Sequence, residues 1–257
     1  MTGIEKIGES LHKLLEEKEI IARCELLLRT YEYVRKASLC DAEQEELKTI
    51  AGKHIAPGIF ASMISGSPIF FNLPKLDTYT QINGHIFHFL HTKKFSKQDF
   101  DNAYRKFQNE RYDLRMILLQ GLKDLLEEFM KDAGYRLQKD NSEQLINPDQ
   151  LIFEAADRKL KASIFSSVKS LYSCKCLQEM EKDFVVVLPS GEDLEPFMKF
   201  FREKGQAIEE SGGQVWVANM EKGCIDPFIG YATDMEIYQQ FKNPRLAEMV
   251  RTNWKPR

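Results

Sequence analysis

The sequence lacks the short motifs that identify the commonest enzyme classes. It contains no GxxxxGK phosphate loop, no dinucleotide-binding glycine fingerprint, no GxSxG turn around a nucleophilic serine and no HExxH zinc helix. Each of these motifs fixes a reactive group or a phosphate through its spacing, so their absence argues against those classes without excluding catalysis of another kind.

The chain also lacks an excess of charge of either sign. Its 36 Lys and Arg residues nearly balance 39 Asp and Glu residues, for a net charge of -3, and it has no basic tail. A chain of this balance has no general attraction to nucleic acid. Any contact with nucleic acid must therefore come from a local patch.

The five cysteines show no paired CxxC spacing, and no secretory leader pattern opens the sequence. Both features favour reduced thiols in the cytoplasm. Residues 55–74 carry no charge, but prolines and glycines interrupt them, so we predict no membrane-spanning helix.

The first part of the chain has helical periodicity. Apolar residues recur at helical spacing over residues 4–15 and 20–34, Asp41 with Gln44 is typical of a capping box, and Pro57 opens a short helix.

A β-hairpin is predicted after these helices. Residues 78–82 and 85–91 are rich in aromatic and β-branched types and flank Asn83-Gly84, the dipeptide that best fits a type I′ turn. Three helices followed by a hairpin resemble a winged helix-turn-helix. We therefore predict a helical domain with one hairpin over residues 1–98.

An α/β domain is predicted over residues 99–257. It begins with one long helix, capped by Ser96 or Asp99 and ending at Gly134. Strands and helices then alternate, as a mixed or parallel sheet requires. The predicted segments are short strands at 135–137, 151–153, 160–165 and 184–188, a helix from Ser190 that ends at Gly205, a last strand at 214–219, a packed loop around 227–231 and closing helices from 235.

One stretch of this domain, NPDQLIFEAADRKLKASIFSS over residues 147–167, resembles the metal-binding hairpin of the PD-(D/E)xK superfamily, the restriction-endonuclease-like nucleases. The succession of elements is similar over residues 101–219. The resemblance implies a restriction-endonuclease-like mixed sheet. It also implies a Mg²⁺ site made by the Asp after Pro and an acid on the next strand, with a Lys two positions on that activates water.

The residues of this site are mostly missing. Pro148-Asp149 matches the first motif, but the second falls on Ser163 to Phe165 and has neither the acid nor the lysine. Glu154 is a substitute acid, with Lys159 or Lys161 as the amine. Glu154 lies an odd number of positions from Asp149, so on a regular strand the two side chains point to opposite faces unless a bulge intervenes.

Lys93, Lys94 and Lys97 follow the hairpin directly and are the predicted nucleic-acid-binding residues. The favoured hypothesis is a non-catalytic module that binds nucleic acid or serves a nucleic-acid-processing complex, with a degenerate nuclease fold. The alternatives are a divergent Mg²⁺-dependent nuclease and a protein–protein interaction scaffold. No cofactor is expected outside the nuclease alternative, and no residue is assigned as a metal ligand.

Overall fold

The computed structural model describes residues 2–65, 76–82, 85–91, 93–138, 150–178, 180–191 and 194–243. Contacts between residues divide the chain into two units. Unit 1 comprises residues 1–121 and 221–223, and unit 2 comprises residues 122–220 and 224–257. The division lies inside a helix, later in the chain than the predicted boundary between residues 98 and 99.

Unit 1 combines helices with one small sheet, as the helical N-terminal prediction requires. Its elements are α1 (Gly3–Glu17), β1 (Ile20–Ala22), α2 (Arg23–Lys36), α3 (Asp41–Ala51), α4 (Ile55–Ser65), β2 (Leu76–Ile82), β3 (His85–His91), α5 (Lys97–Asn109) and the first half of α6 (Arg111–Asp132).

The predicted hairpin is confirmed. β2 and β3 pair antiparallel, with Tyr79 opposite His88 and Ile82 opposite His85, while residues 83–84 lie outside the described part of the chain.

A third strand, β1, was not predicted. It pairs with the other side of β3, where Ile21 lies opposite Leu90 and both side chains are buried. The assignment of residues 20–22 to a helix was therefore wrong. Their partner strand is distant in sequence, so no local pattern revealed the pairing.

α5 packs against one face of this sheet. Phe89 contacts Phe100 with ring centroids 5.7 Å apart, and Phe87 contacts Tyr104 at 4.7 Å. These aromatic contacts place α5 in unit 1, which explains why the division by contacts falls beyond residue 98.

Two helix boundaries differ from the sequence prediction. α3 is capped by Cys40 with Glu43, whose carboxylate accepts from the Cys40 backbone N–H at 3.0 Å, so the predicted cap at Asp41 was one residue late. The predicted single helix is two helices, α5 and α6, which are separated at Glu110. Ser96 caps the first of them, as predicted.

Glu110 belongs to a half-buried ion-pair network in unit 1. Lys18 donates to Glu25 and, at 2.7 Å, to Glu110, while Arg29 donates to Glu110 at 3.1 Å and to Glu32 at 2.9 Å. Burial raises the pKa of Glu25 even though Lys18 opposes the shift. The network ties the α5–α6 junction to α2 and fixes the break between the two helices.

Unit 2 is an α/β unit built on one mixed sheet, as predicted. Its elements are the second half of α6, β4 (Arg136–Leu137), β5 (Gln150–Ala155), β6 (Arg158–Ile164), α7 (Val168–Tyr172), a single 3₁₀ turn (Lys175–Gln178), β7 (Phe184–Pro189), α8 (Leu194–Ser211), β8 (Gln214–Asn219), β9 (Cys224–Ile229) and α9 (Met235–Gln240).

The six strands lie in the order β4-β5-β6-β7-β8-β9. β6, β7 and β8 run parallel, while β4, β5 and β9 are antiparallel to their neighbours. All six residues of β7 are buried, as predicted for a central strand. α7 and α8 cover one face through side chains such as Leu171 and Phe200, and on the other face Phe129 and Phe241 each lie 5.4 Å from Trp216.

Two further predictions for unit 2 were wrong. α8 continues through Gly205 to Ser211 and ends before Gly212, whose φ of +79° suits a helix terminus. The segment predicted as a packed loop contains β9, an edge strand that includes Pro227. Prolines are tolerated in strands chiefly at sheet edges, which fits this position.

Within the described residues, none of the helices combines the length and the apolar character needed to cross a membrane.

Candidate functional site

The β5–β6 hairpin holds most of the residues that the nuclease resemblance singled out. Its register places Gln150 opposite Ser163, Ile152 opposite Lys161 and Glu154 opposite Lys159. Directly paired residues share a face of the sheet, so these six side chains line one face. Asp149, the first motif residue, lies outside the described residues.

Glu154 and Lys159 are brought together by this register. Their side chains form an ion pair with a nitrogen–oxygen distance of 2.6 Å, and Lys161 forms another with Glu181 at 3.0 Å. The lysine ammonium groups are exposed to solvent. Both predicted amines are therefore already neutralised by carboxylates.

Ser163 occupies the predicted position of the second acid and is only 2% exposed. The buried face predicted for β6 is confirmed, since Leu160, Ala162 and Ile164 are all buried on the opposite side. Ser163 lies four positions after Lys159, about 13 Å along a strand. Glu154 and Lys159 consequently lie at the other end of the hairpin from Ser163.

A polar pocket of about 340 Å³ lies at the same end of the hairpin as Lys159, which is one of its lining residues, and at the end of the sheet where the parallel strands begin. Its lining includes Arg158 at the start of β6, Asp183 just before β7 and Gln214 at the start of β8. Ligands of open α/β sheets usually bind at the opposite edge, where parallel strands end.

Asp234 organises the inner wall of this pocket. Its carboxylate accepts from the Tyr135 hydroxyl at 2.7 Å and from the Arg158 guanidinium, and it caps α9 by accepting from the backbone N–H groups of Glu236 and Ile237 at 2.8 and 3.3 Å. The sequence prediction missed this network. The local signal was an Asp immediately before a helical segment.

The pKa shifts in the network have clear causes. Burial alone raises the pKa of Asp234, but the hydrogen bonds from Tyr135, Arg158 and the backbone outweigh it and lower the value to about 2. Burial and the neighbouring carboxylate raise the pKa of Tyr135 to about 12. Neither group changes protonation near neutral pH, so the network suits a structural clamp better than proton transfer.

The three lysines predicted to bind nucleic acid are all exposed in unit 1. Lys93 forms an ion pair with Glu19 and lies 5.3 Å from the centre of the Phe95 ring. Lys94 leads into α5, and Lys97 begins it.

The described part of the chain holds no group of three His, Cys, Asp or Glu side chains that could bind a metal ion. None of the five cysteines forms a disulfide.

Comparison with known proteins adds one match. A family model matches residues 156–243, and it describes the C-terminal domain of a domain of unknown function, DUF6834. The match runs from the turn before β6 through α9 and includes Arg158, Gln214 and Asp234, whereas Tyr135 precedes it. No curated protein matches the chain.

Proposed function

We propose that this protein is a non-catalytic module that binds nucleic acid, alone or within a nucleic-acid-processing complex, and that unit 2 is a degenerate relative of the PD-(D/E)xK nucleases. The order of elements supports the relationship. A helix, three antiparallel strands β4, β5 and β6, a short helix and the parallel strand β7 follow one another as the resemblance implies.

The observation that carries the loss of catalysis is Ser163. A neutral hydroxyl, 2% exposed, stands where the resemblance expects a Mg²⁺-binding carboxylate. Mg²⁺ prefers several oxygen ligands, among which carboxylates provide the charge. Glu154 does not replace the missing acid, because it is paired with Lys159 at the far end of the hairpin.

The proposed contact with nucleic acid lies in unit 1. α2, α3 and α4 followed by the β2–β3 hairpin support a winged-helix-like arrangement, with Lys93, Lys94 and Lys97 beside the wing. α4, the helix before the hairpin, contains no Lys, Arg, Asn or Gln. Such a helix has no side chain suited to reading base edges, so we propose contact through phosphate without strong sequence preference.

A nuclease assay tests the loss of catalysis. Single- and double-stranded DNA and RNA are incubated with the protein and Mg²⁺ or Mn²⁺, beside Asp149→Ala and Lys159→Ala variants. We expect no cleavage above that of the variants. If the natural protein cleaves nucleic acid and either substitution abolishes that cleavage, the divergent nuclease is established instead.

A salt titration of binding tests the nucleic-acid contact. The triple variant Lys93→Ala, Lys94→Ala, Lys97→Ala is compared with a control that removes three exposed lysines of unit 2, Lys131, Lys199 and Lys204. We expect the first variant to flatten the dependence of log K on log salt by up to about 2 for single strands, and the control to leave it unchanged. If the natural protein shows no salt-dependent binding to nucleic acid, the result favours the protein–protein interaction scaffold.

A further inference from the structure

A buried side-chain amide lines the polar pocket of unit 2. Gln214 is 6% exposed, and its Oε1 accepts from the Trp216 indole N–H at 3.0 Å. Because an indole N–H can only donate, the amide oxygen faces Trp216 and the amide nitrogen lies on the other branch. Within the described residues, the Gln214 Nε2 group meets no acceptor. Burial of such a donor costs free energy unless a ligand or water accepts from it.

The Arg158 guanidinium lines the same pocket and is held in place by Asp234. Its Nη1 donates to that carboxylate, while 56% of the Arg158 side chain is exposed. Asp234 also accepts from Tyr135 and from two backbone N–H groups, so its oxygens have little capacity left for a ligand. A guanidinium has five N–H donors, and most of those of Arg158 remain available. Two unsaturated donor groups, Arg158 and Gln214, therefore line one cavity.

The mouth of the pocket carries charges of both signs. Its exposed charged residues are Asp157, Arg158, Lys159, Lys182 and Asp183. Lys159 is already paired with Glu154 at 2.6 Å. The side chains of Asp157 and Asp183 form no hydrogen bond or ion pair with any residue that the structure describes. The pocket thus combines unsaturated donors with two unpaired carboxylates.

We infer that this pocket binds a small zwitterion, a free amino acid, whose carboxylate accepts from the two donor groups and whose ammonium group donates to the unpaired carboxylates. These groups line one cavity of about 340 Å³, within the range of roughly 300–1,000 Å³ found for small-molecule sites. The planar fork of a guanidinium suits a carboxylate. A purely anionic ligand such as phosphate is disfavoured, because Asp157 and Asp183 repel it. The inference concerns unit 2 and does not depend on the proposed binding of nucleic acid.

NMR of the full-length protein labelled with nitrogen-15 tests the inference. The chain has two tryptophans, so Trp254→Phe identifies the indole N–H signal of Trp216. That N–H is bonded to Gln214, so its chemical shift reports a ligand at the amide. The probes are the common L-amino acids, added singly. The amine and the carboxylic acid that match the tightest binder follow, because each lacks one of its two charged groups.

We expect at least one amino acid to shift the Trp216 signal to saturation, and the matching amine and carboxylic acid to bind about tenfold more weakly. Gln214→Glu keeps an acceptor for Trp216 but replaces the donor with a second carboxylate, so affinity should fall at least about tenfold. Arg158→Lys keeps the positive charge beside Asp234 but loses the planar fork, so affinity should also fall about tenfold.

The matched controls are Gln206→Glu and Arg202→Lys, which make the same changes at exposed positions of α8 outside the pocket. Both should bind the amino acid within about twofold of the natural protein. Thermal melting of each variant identifies folding defects. Asp157→Asn with Asp183→Asn, at exposed positions, keeps the inference testable if a variant of the donor groups melts early, since this pair should weaken the amino acid but not the carboxylic acid.

Three results overturn the inference. The first is an amino acid whose binding falls equally in Gln214→Glu and Gln206→Glu. The second is a carboxylic acid that binds as tightly as its amino acid. The third is a Trp216 signal that none of the probes shifts, which assigns the pocket to solvent alone. None of these results bears on the proposed contact of unit 1 with nucleic acid, which the salt titration tests separately.

Discussion

Units 1 and 2 each bury a carboxylate, but the hydrogen-bond donors around the two carboxylates differ, and so do their pKa shifts. In unit 1, Glu25 shares Lys18 with Glu110, and burial with the second carboxylate raises its pKa. In unit 2, Asp234 accepts hydrogen bonds from a tyrosine, an arginine and two backbone N–H groups, and its pKa falls to about 2. The number of donors committed to one carboxylate therefore matters more than the presence of an ion pair.

The largest effect is expected from Asp234→Ala. The substitution removes the cap of α9 and leaves the Tyr135 hydroxyl and the Arg158 guanidinium without their acceptor, so we expect a loss of roughly 3 kcal/mol in unfolding free energy. Urea titration followed by tryptophan fluorescence measures it, since Trp216 is buried in unit 2. Asp157→Ala, an exposed position of the same pocket, is the control and should change the free energy by less than about 0.5 kcal/mol.

A somewhat smaller effect is expected from Lys18→Met in unit 1. Glu25, with 3% of its side chain exposed, loses the hydrogen bond from Lys18 but remains buried. We expect a loss of roughly 2 kcal/mol, measured by hydrogen exchange of α2 amides. Lys13→Met, with 76% side-chain exposure, should leave exchange unchanged, and equal effects of the two substitutions contradict the role of the network.

The contrast between the carboxylates also predicts a pH dependence for unit 2. Because the pKa of Asp234 is lowered from 3.8 to about 2, its stabilising contribution is complete above pH 4 and is lost as the pH falls through 2. The contribution is about 2 kcal/mol. Urea midpoints of the natural protein should fall over this window more than those of Asp234→Asn. If the midpoints of the two proteins fall in parallel with pH, the stabilising contribution does not come from Asp234.

The smallest effect is expected from Glu25→Gln, and its pH dependence runs in the opposite direction to that of Asp234. A carboxyl group whose pKa folding raises destabilises the fold once the pH exceeds that pKa, so its neutral replacement removes a cost as well as an ion pair. We expect a change below about 1 kcal/mol at pH 7. The natural protein should gain stability relative to the variant as the pH falls, as measured by exchange of α2 amides.

Local chemistry predicted much of the fold. Asn83-Gly84 indicated the β2–β3 hairpin, and the apolar run at 184–188 indicated the central strand. The prediction failed where the secondary structure of a segment depends on residues that are distant in the sequence. β1 forms because β3 is available, and α8 passes Gly205 because a helix packed on a sheet tolerates a glycine that costs only about 1 kcal/mol.

The same limit applies to the candidate sites. The Glu154–Lys159 pair follows from hairpin register, which a local pattern predicts. The Asp234 network joins Tyr135 across 99 positions and Arg158 across 76, and no spacing within the sequence encodes such contacts.

The margins of the six-stranded sheet carry a consequence for how the protein behaves in concentrated solution. Among the described residues, one margin, β4, offers two paired residues, and the other, β9, includes Pro227, which has no N–H to offer a neighbouring chain. As far as the structure describes them, neither margin is a long, regular template for intermolecular strand addition. The sheet is thereby protected against growth into fibrils, even though its central strand is strongly apolar.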